Sequence, residues 1–176
     1  MDRPHVHTLV GLGSDHAGFE YKELTAALLD EMGVPYRDFG TDSEESVDYP
    51  CYAHAVARAV ADGDCCCGIL VCGTGVGMSL VANKVPGIRA ALCNDTYTAR
   101  VSRLHNDANV LCLSGRVVGR EIVRDVVRTW ITTPFSGDER HVRRLNQLRQ
   151  IEEQYLVKPP ADRSEPTART GGSDGG

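Results

Sequence analysis

The stretch LVCGTGVGMS, residues 70–79, ends an apolar run at Cys72 and continues with three glycines at alternate positions. Glycines let backbone N–H groups turn toward a ligand without side chains in the way, and such N–H groups stabilise negative charge. That charge would be a thiolate on Cys72 or an oxyanion on a substrate. The same residues also fit a tight strand–helix turn in which the cysteine only packs. The local pattern favours neither interpretation.

Three known anion-binding loops do not fit this stretch. A P-loop needs a lysine directly after its last glycine, but Gly73 is followed by Thr74. The dinucleotide pattern G-x-G-x-x-G opens the first strand–helix unit, whereas these glycines alternate and belong to the third. A cysteine-phosphatase loop would need an arginine six positions after the cysteine, where Met78 stands.

Further polar residues cluster elsewhere in the chain. SDHAG places Asp15 and His16 after the first predicted strand, and SRLHNDAN places His105 and Asn106 at a helix end. Such residues can bind sugar hydroxyls or move protons. A histidine at a helix end is also common as a simple cap. Together with the arginines described next, these clusters favour the functional interpretation of residues 70–79 over simple packing.

The stretch GDERHVRR places several cations in the first turns of the last predicted helix. Arg140 and Arg144 are four residues apart, so they share one helix face and could bind a phosphate together. Arginines on a terminal helix are usually a solvated face. A helix start is nevertheless an unfavourable place for cations, and a bound anion would offset that cost.

Short apolar runs alternate with helix-length amphipathic segments along the chain. This alternation predicts an α/β protein: a doubly wound, Rossmann-like three-layer sandwich with a five-stranded parallel sheet. Such sheets bind ligands at the carboxyl ends of their strands, where Asp15 and the Cys72 loop are expected. The predicted strands are residues 7–13, 34–40, 67–73, 88–93 and 109–115, and the predicted helices are 17–33, 49–63, 77–85, 95–106, 119–131 and 138–155.

Composition narrows the function classes. The chain has 176 residues, 41% of them hydrophobic, and a net charge of −5. This mild acidity argues against nucleic-acid and membrane-surface partners, and no apolar run is long enough to span a bilayer. The amino-terminal residues lack the pattern of a secretory signal, so we expect a cytoplasmic protein. We expect one domain over residues 1–156 and a disordered tail over 157–176, which is rich in Pro, Gly, Ser and Thr.

Seven cysteines occur, an odd number with no CxxC pair, and reduced thiols are expected. The run CCC, residues 65–67, precedes the apolar residues GILV. We interpret these cysteines as small apolar residues that enter a buried strand. Consecutive strand side chains alternate between faces and would not converge on one ion, so no metal site is predicted.

Six stretches in order carry a resemblance: SDHAGFEYK, VDYP, CGTGVGMSLVANKVPGIRAAL, SRLHNDANVL, GRVVG and ERHVRR. From about Val10 to Glu153 the chain resembles the type B ribose-5-phosphate isomerases, within the wider group that includes galactose-6-phosphate isomerase. TPFSGDERHVRR further resembles the trypanosomatid members. The resemblance implies interconversion of D-ribose 5-phosphate and D-ribulose 5-phosphate without metal or organic cofactor. It also implies a homodimer or a tetramer whose active sites are shared between chains.

The resemblance also assigns roles to residues. Cys72 matches the family's general base, which takes the C2 proton and returns it to C1 through a cis-enediolate. His105 matches the acid that opens the furanose ring, and Thr74 adds a hydroxyl beside the base. Asp15 and Asn106 match residues that bind the sugar hydroxyls, and Asp15 is also expected to be catalytic. The other implied substrate-binding residues are the phosphate clamp Arg116, Arg140 and Arg144, the loop residues Gly73, Gly75, Val76 and Gly77, and His16, Tyr49 and His141.

Two alternatives stay open. A six-carbon 6-phosphate sugar, of the allose or galactose type, would use the same chemistry in a deeper pocket, and sequence does not measure depth. A sugar-phosphate-binding module without catalysis would use the same anion loop. Such a module has no need of a base, so the presence of Cys72, His105 and Asp15 together favours the enzyme.

Overall fold

The computed structural model describes residues 9–155, so the predicted tail and the first two residues of the first predicted strand lie outside the described residues. The strands are β1 (Val10–Ser14), β2 (Tyr36–Asp38), β3 (Cys67–Cys72), β4 (Ala90–Leu92) and β5 (Val110–Ser114). A 3-10 turn (His16–Gly18) precedes the first helix. The helices are α1 (Phe19–Glu31), α2 (Tyr49–Ala61), α3 (Val76–Ala82), α4 (Thr96–Asn106), α5 (Arg120–Thr132) and α6 (Glu139–Tyr155).

The five strands form one parallel sheet in the order β2-β1-β3-β5-β4. The chain first adds β2 on one side of β1 and then crosses back to add β3, β4 and β5 on the other side, so helices cover both faces of the sheet. The predicted doubly wound α/β fold is confirmed. The edge strands β2 and β4 are three residues each, shorter than predicted, since each has a hydrogen-bonding neighbour on one side only.

The central strand β3 shows why its sequence is apolar throughout. Ile69 and Val71 pack into one core cluster with Trp130, on the side of α1 and α5. Leu70 and Cys72 point to the other face and join a second cluster. Burial on both faces is typical of a parallel strand and fixes its register. Cys72 therefore ends the strand on the side covered by α2 and α3.

All seven cysteines are free thiols, as expected. The interpretation of CCC as residues entering a buried strand is wrong for Cys66. Cys65 is buried and Cys67 begins β3, but Cys66 is exposed because it precedes the sheet, outside the covering helices. Within residues 9–155, no helix combines the length and apolar character that crossing a bilayer requires.

Candidate active site

Cys72 ends β3 at the carboxyl edge of the sheet, with only 5% of its surface exposed. Its Sγ accepts a hydrogen bond from the Gly75 N–H at 3.1 Å. No hydrogen bond within the described part of the chain uses the N–H of Gly73 or Thr74. A sulfur held by one loop amide, with further amides beside it, can carry a thiolate and stabilise a neighbouring oxyanion.

Gly75 shows why this loop needs glycine. Its φ is +76°, in the left-handed region that side chains disfavour. A Cβ there would come within 2.4 Å of Leu92 Cδ1 and 3.0 Å of the Leu113 carbonyl oxygen. The loop therefore packs directly on the ends of β4 and β5. Gly77 meets a different neighbour, because its Cβ would lie 2.8 Å from the Tyr49 ring, which stands at the start of α2.

Asp15, His16 and Arg116 lie at the same edge. Asp15 is buried, and its Oδ1 accepts a hydrogen bond from the Gly18 N–H. The Nδ1 of His16 accepts a hydrogen bond from the Val47 N–H at 3.2 Å. The backbone N–H of Arg116 donates to the Gly73 carbonyl, and Arg116 lines a cleft of about 320 Å³ together with His16.

We call these residues the carboxyl-edge group. They comprise Asp15, His16, Tyr49, Cys72, Gly73, Thr74, Gly75, Val76, Gly77 and Arg116.

His105 and His141 form a second group. Their rings are in contact at the end of α4 and the start of α6, with centroids 4.4 Å apart and planes tilted by 36°. His141 is buried and its Nδ1 lies 2.8 Å from the Ser136 hydroxyl. Burial lowers the pKa of His141, and the charges of His105 and Arg140 lower it further. We call His105, Asn106, Arg140, His141 and Arg144 the amino-edge group; both arginine side chains are exposed.

Ion pairs hold the end of α4 in place. Asp107 closes the helix in the left-handed conformation, with φ +44°. Arg89 binds its Oδ2 at 2.9 Å and also donates to the carbonyl of Asn106. Arg103 approaches Oδ1 at 3.3 Å from the other side. Two arginines on one aspartate fix the backbone that carries His105 and Asn106.

The two groups lie at opposite edges of the sheet. The Gly68 N–H donates to the Asn109 carbonyl at the start of β3, whereas Cys72 ends the same strand. Four residue steps of about 3.3 Å separate these edges by about 13 Å. No hydrogen bond, ion pair or ring contact within residues 9–155 joins the groups. A small ligand bound at Cys72 is therefore out of reach of the same chain's His105.

Two supporting residues, Ser114 and Arg89, were not predicted. Ser114 Oγ lies 2.7 Å from both the Thr74 carbonyl and Asn94 Oδ1, and so fixes the loop from β5. Arg89 supports the amino-edge group as described above. Ser114 and Thr74 are 40 residues apart, and no local sequence pattern pairs them. Within the described residues, no group of three or more His, Cys, Asp or Glu side chains could hold a metal ion.

The fold and the loop define a doubly wound α/β protein with a buried thiol at a glycine-rich turn. The chain belongs to the Ribose/Galactose Isomerase family, whose family model matches residues 10–148. The ribose-5-phosphate isomerase B of Escherichia coli (strain K12) is 47% identical over 144 residues, which cover 82% of this chain and 96% of that protein.

Solved structures agree with this assignment. Ribose-5-phosphate isomerase B of Clostridium thermocellum superposes with a TM-score of 0.82 at 50% identity, over 84% of this chain and 99% of that one. The type B ribose 5-phosphate isomerase of Trypanosoma brucei gives 0.81 at 48% identity, over 84% of this chain and 100% of that one. The family resemblance seen in the sequence is confirmed, and trypanosomatid members are among the solved structures that this chain resembles.

Proposed function

We propose that this protein is an aldose–ketose isomerase that interconverts D-ribose 5-phosphate and D-ribulose 5-phosphate. The observation that carries the proposal is the Cys72 thiol, held at a strand end by the Gly75 amide in a loop of further amides. We infer the substrate from the close relatives named above, each of which is described as a ribose-5-phosphate isomerase of type B.

The reaction is two proton transfers through one enediolate. The Cys72 thiolate takes the proton from C2 of the open-chain aldose, and the C1 oxygen gathers negative charge as the C1–C2 double bond forms. The same thiol then returns the proton to C1, while the proton of the C2 hydroxyl passes to the C1 oxygen and leaves C2 as the ketone carbonyl. Fixed amide donors at the loop stabilise the charge where it develops, and Thr74 adds a hydroxyl beside the base. No electron leaves the sugar, so the balance needs no redox partner or cofactor.

The other residues position the substrate. His105 opens the furanose ring by giving a proton to the ring oxygen, and Asn106 and Asp15 bind sugar hydroxyls. The phosphate binds Arg116, Arg140 and Arg144, because guanidinium groups bind phosphate with paired, charge-assisted hydrogen bonds. Binding energy at the phosphate then holds the reacting carbons against Cys72. The remaining members of both groups line this site: His16, Tyr49, Gly73, Gly75, Val76, Gly77 and His141.

A complete site requires two chains in this proposal. The carboxyl-edge group of one chain and the amino-edge group of another would meet across a homodimer interface, since about 13 Å of strand separates the groups within a chain. Exposed apolar residues support an interface there. Leu148, Ile151 and Tyr155 of α6 line an apolar cleft of about 460 Å³ next to Asn106. A tetramer and a cytoplasmic location stay predictions.

The test is isomerisation of ribose 5-phosphate by wild type and Cys72→Ala, with EDTA throughout. Loss of the general base should lower kcat on the order of 10²–10⁴-fold. Cys51→Ser is the matched control, because Cys51 is an exposed thiol on α2 outside both groups, and it should keep wild-type activity. Near-normal turnover by Cys72→Ala would refute the role of the thiol.

A six-carbon 6-phosphate aldose belongs in the same assay. If wild type converts only the hexose phosphate, the reaction stands and the substrate is wrong. If wild type binds both sugars and converts neither, the protein is a sugar-phosphate-binding module and the proposed function fails.

A further inference from the structure

Two thiols outside both groups lie side by side. The Sγ atoms of Cys66 and Cys67 are 3.5 Å apart. Cys66 is exposed and Cys67 is half-buried at the first position of β3. Both are at the amino edge of the sheet, whereas the buried Cys72 ends the same strand at the other edge. The pair is therefore separate from the proposed base.

The backbone of this pair is fixed by the sheet. The Cys66 N–H donates to the Leu9 carbonyl at 3.0 Å, and Cys67 is paired with Val10 of β1. Two sulfurs on an ordered backbone lose little freedom when they bind one atom together, which favours chelation over binding by separate thiols.

The spacing suits a shared atom better than a direct disulfide. Consecutive Cα atoms are about 3.8 Å apart, below the range of about 4.4–6.8 Å usual for disulfide-linked residues. Two sulfurs at about 2.3 Å from one tetrahedral centre lie about 3.8 Å apart, close to the observed 3.5 Å. The side chains thus stand at the separation of two ligands on one atom.

Electrostatics makes one of the two sulfurs reactive. The side-chain hydrogen bond with Cys67 and the charge of the Arg103 guanidinium together lower the pKa of Cys66 to about 7. The same hydrogen bond and burial raise the pKa of Cys67, which therefore holds its proton while Cys66 attacks. An exposed thiolate with a thiol at its side is a good starting point for stepwise capture of a soft electrophile.

We propose that Cys66 and Cys67 form a two-sulfur site that binds one soft, thiophilic acceptor, such as Cu(I) or a trivalent arsenical, through both sulfurs. For an aryl arsenoxide, the Cys66 sulfur attacks arsenic and the Cys67 sulfur follows. Two As–S bonds form, the bond from arsenic to oxygen is lost, and the oxygen leaves as water with the two thiol protons. Arsenic stays trivalent, so neither oxidant nor reductant is needed.

The test uses phenylarsine oxide as the probe and the intact mass of the native protein as the readout. One equivalent is added to wild type, Cys66→Ser, Cys67→Ser and Cys51→Ser, followed by excess 2-mercaptoethanol and then 2,3-dimercaptopropanol. Wild type should retain one arsenical against the monothiol and release it to the dithiol. Cys51→Ser should behave identically, because its exposed thiol has no sulfur neighbour among the described residues.

Loss of either member of the pair removes chelation. Cys66→Ser and Cys67→Ser should each bind the arsenical on the order of 10²-fold more weakly, since the second sulfur acts at a high effective concentration. Cys66→Ser changes an exposed residue and keeps the test decisive if the half-buried Cys67→Ser unfolds. Wild-type retention by Cys66→Ser, or loss of retention in Cys51→Ser, would overturn the proposal. None of these readouts depends on isomerase activity.

Discussion

The carboxyl-edge group and the amino-edge group are built in different ways. The first is fixed by backbone packing: Gly75 fits against β4 and β5, and Ser114 holds the Thr74 carbonyl. The second depends on side-chain ion pairs around Asp107, and the arginines proposed to bind phosphate are exposed. In the proposed function, the base and its amides are thus preorganised within one chain, whereas the groups proposed for ring opening and phosphate binding lie at a surface that a second chain would complete.

Gly75→Ala breaks the packed side of this comparison and should have the largest effect. A left-handed backbone with a Cβ costs about 1–2 kcal/mol, and the contact with Leu92 and the Leu113 carbonyl adds about 1–3 kcal/mol. Displacement of the amide from Cys72 should also lower kcat by about 10²-fold or more. Denaturant unfolding and steady-state kinetics measure both effects.

Gly87→Ala is the control for this change. Gly87 also has a positive φ, +83°, but no atom lies within 4 Å of its added Cβ. Gly87→Ala should therefore lower the free energy of unfolding by only the backbone cost of about 1–2 kcal/mol and leave kcat unchanged. Equal effects of the two alanines would contradict a loop fixed by close packing.

Arg144→Met tests the exposed side of the comparison. Loss of a charged hydrogen bond to phosphate, about 1.5–3 kcal/mol, should lower kcat/KM by about 10–100-fold, mainly through KM. Because the side chain is exposed, the unfolding free energy should stay within about 0.5 kcal/mol. Arg149→Met, an exposed arginine on the opposite face of the same helix from Arg140, is the control and should change neither quantity.

Arg89→Met sharpens the claim that ion pairs hold the amino-edge group. The variant loses its bonds to Asp107 and to the Asn106 carbonyl, which should cost about 1–3 kcal/mol of stability. Misplaced His105 and Asn106 should lower kcat roughly tenfold, and Arg89→Lys should restore part of it. Arg58→Met removes an exposed pair with Asp62 and should cost at most about 0.5 kcal/mol. An unchanged kcat in Arg89→Met would contradict the claim that Arg89 positions His105 and Asn106.

His141 should give the smallest effect, on stability against pH. Its folded pKa is lowered, so the unfolded chain binds more protons as the pH falls through about 6.5. Stability should therefore decline from pH 7.5 to 5.5. His141→Gln should reduce that decline in thermal midpoint, while His54→Gln, which removes an exposed histidine of α2, should not. An identical decline in His141→Gln and wild type would show that His141 does not cause it.

Much of this architecture could be predicted from the sequence, because alternating apolar runs and helices with glycine ends determine a parallel sheet. The loop at Cys72 could be located because glycines at alternate positions end an apolar strand. The exposure of Cys66 could not be predicted, because the residue at which β3 begins is decided by its pairing with β1. Ser114 and Arg89 act through contacts between distant residues, which leave no local pattern.

The division of the site between two chains is the central claim, and mixed dimers test it most directly. Cys72→Ala and His105→Gln chains, each inactive alone, are co-expressed with different tags, and the heterodimer is purified. If the groups meet across chains, one site carries both changes and the other carries none. The heterodimer should then show about half of wild-type activity. A heterodimer as inactive as its parents would contradict the account, because each chain would then hold a complete site of its own.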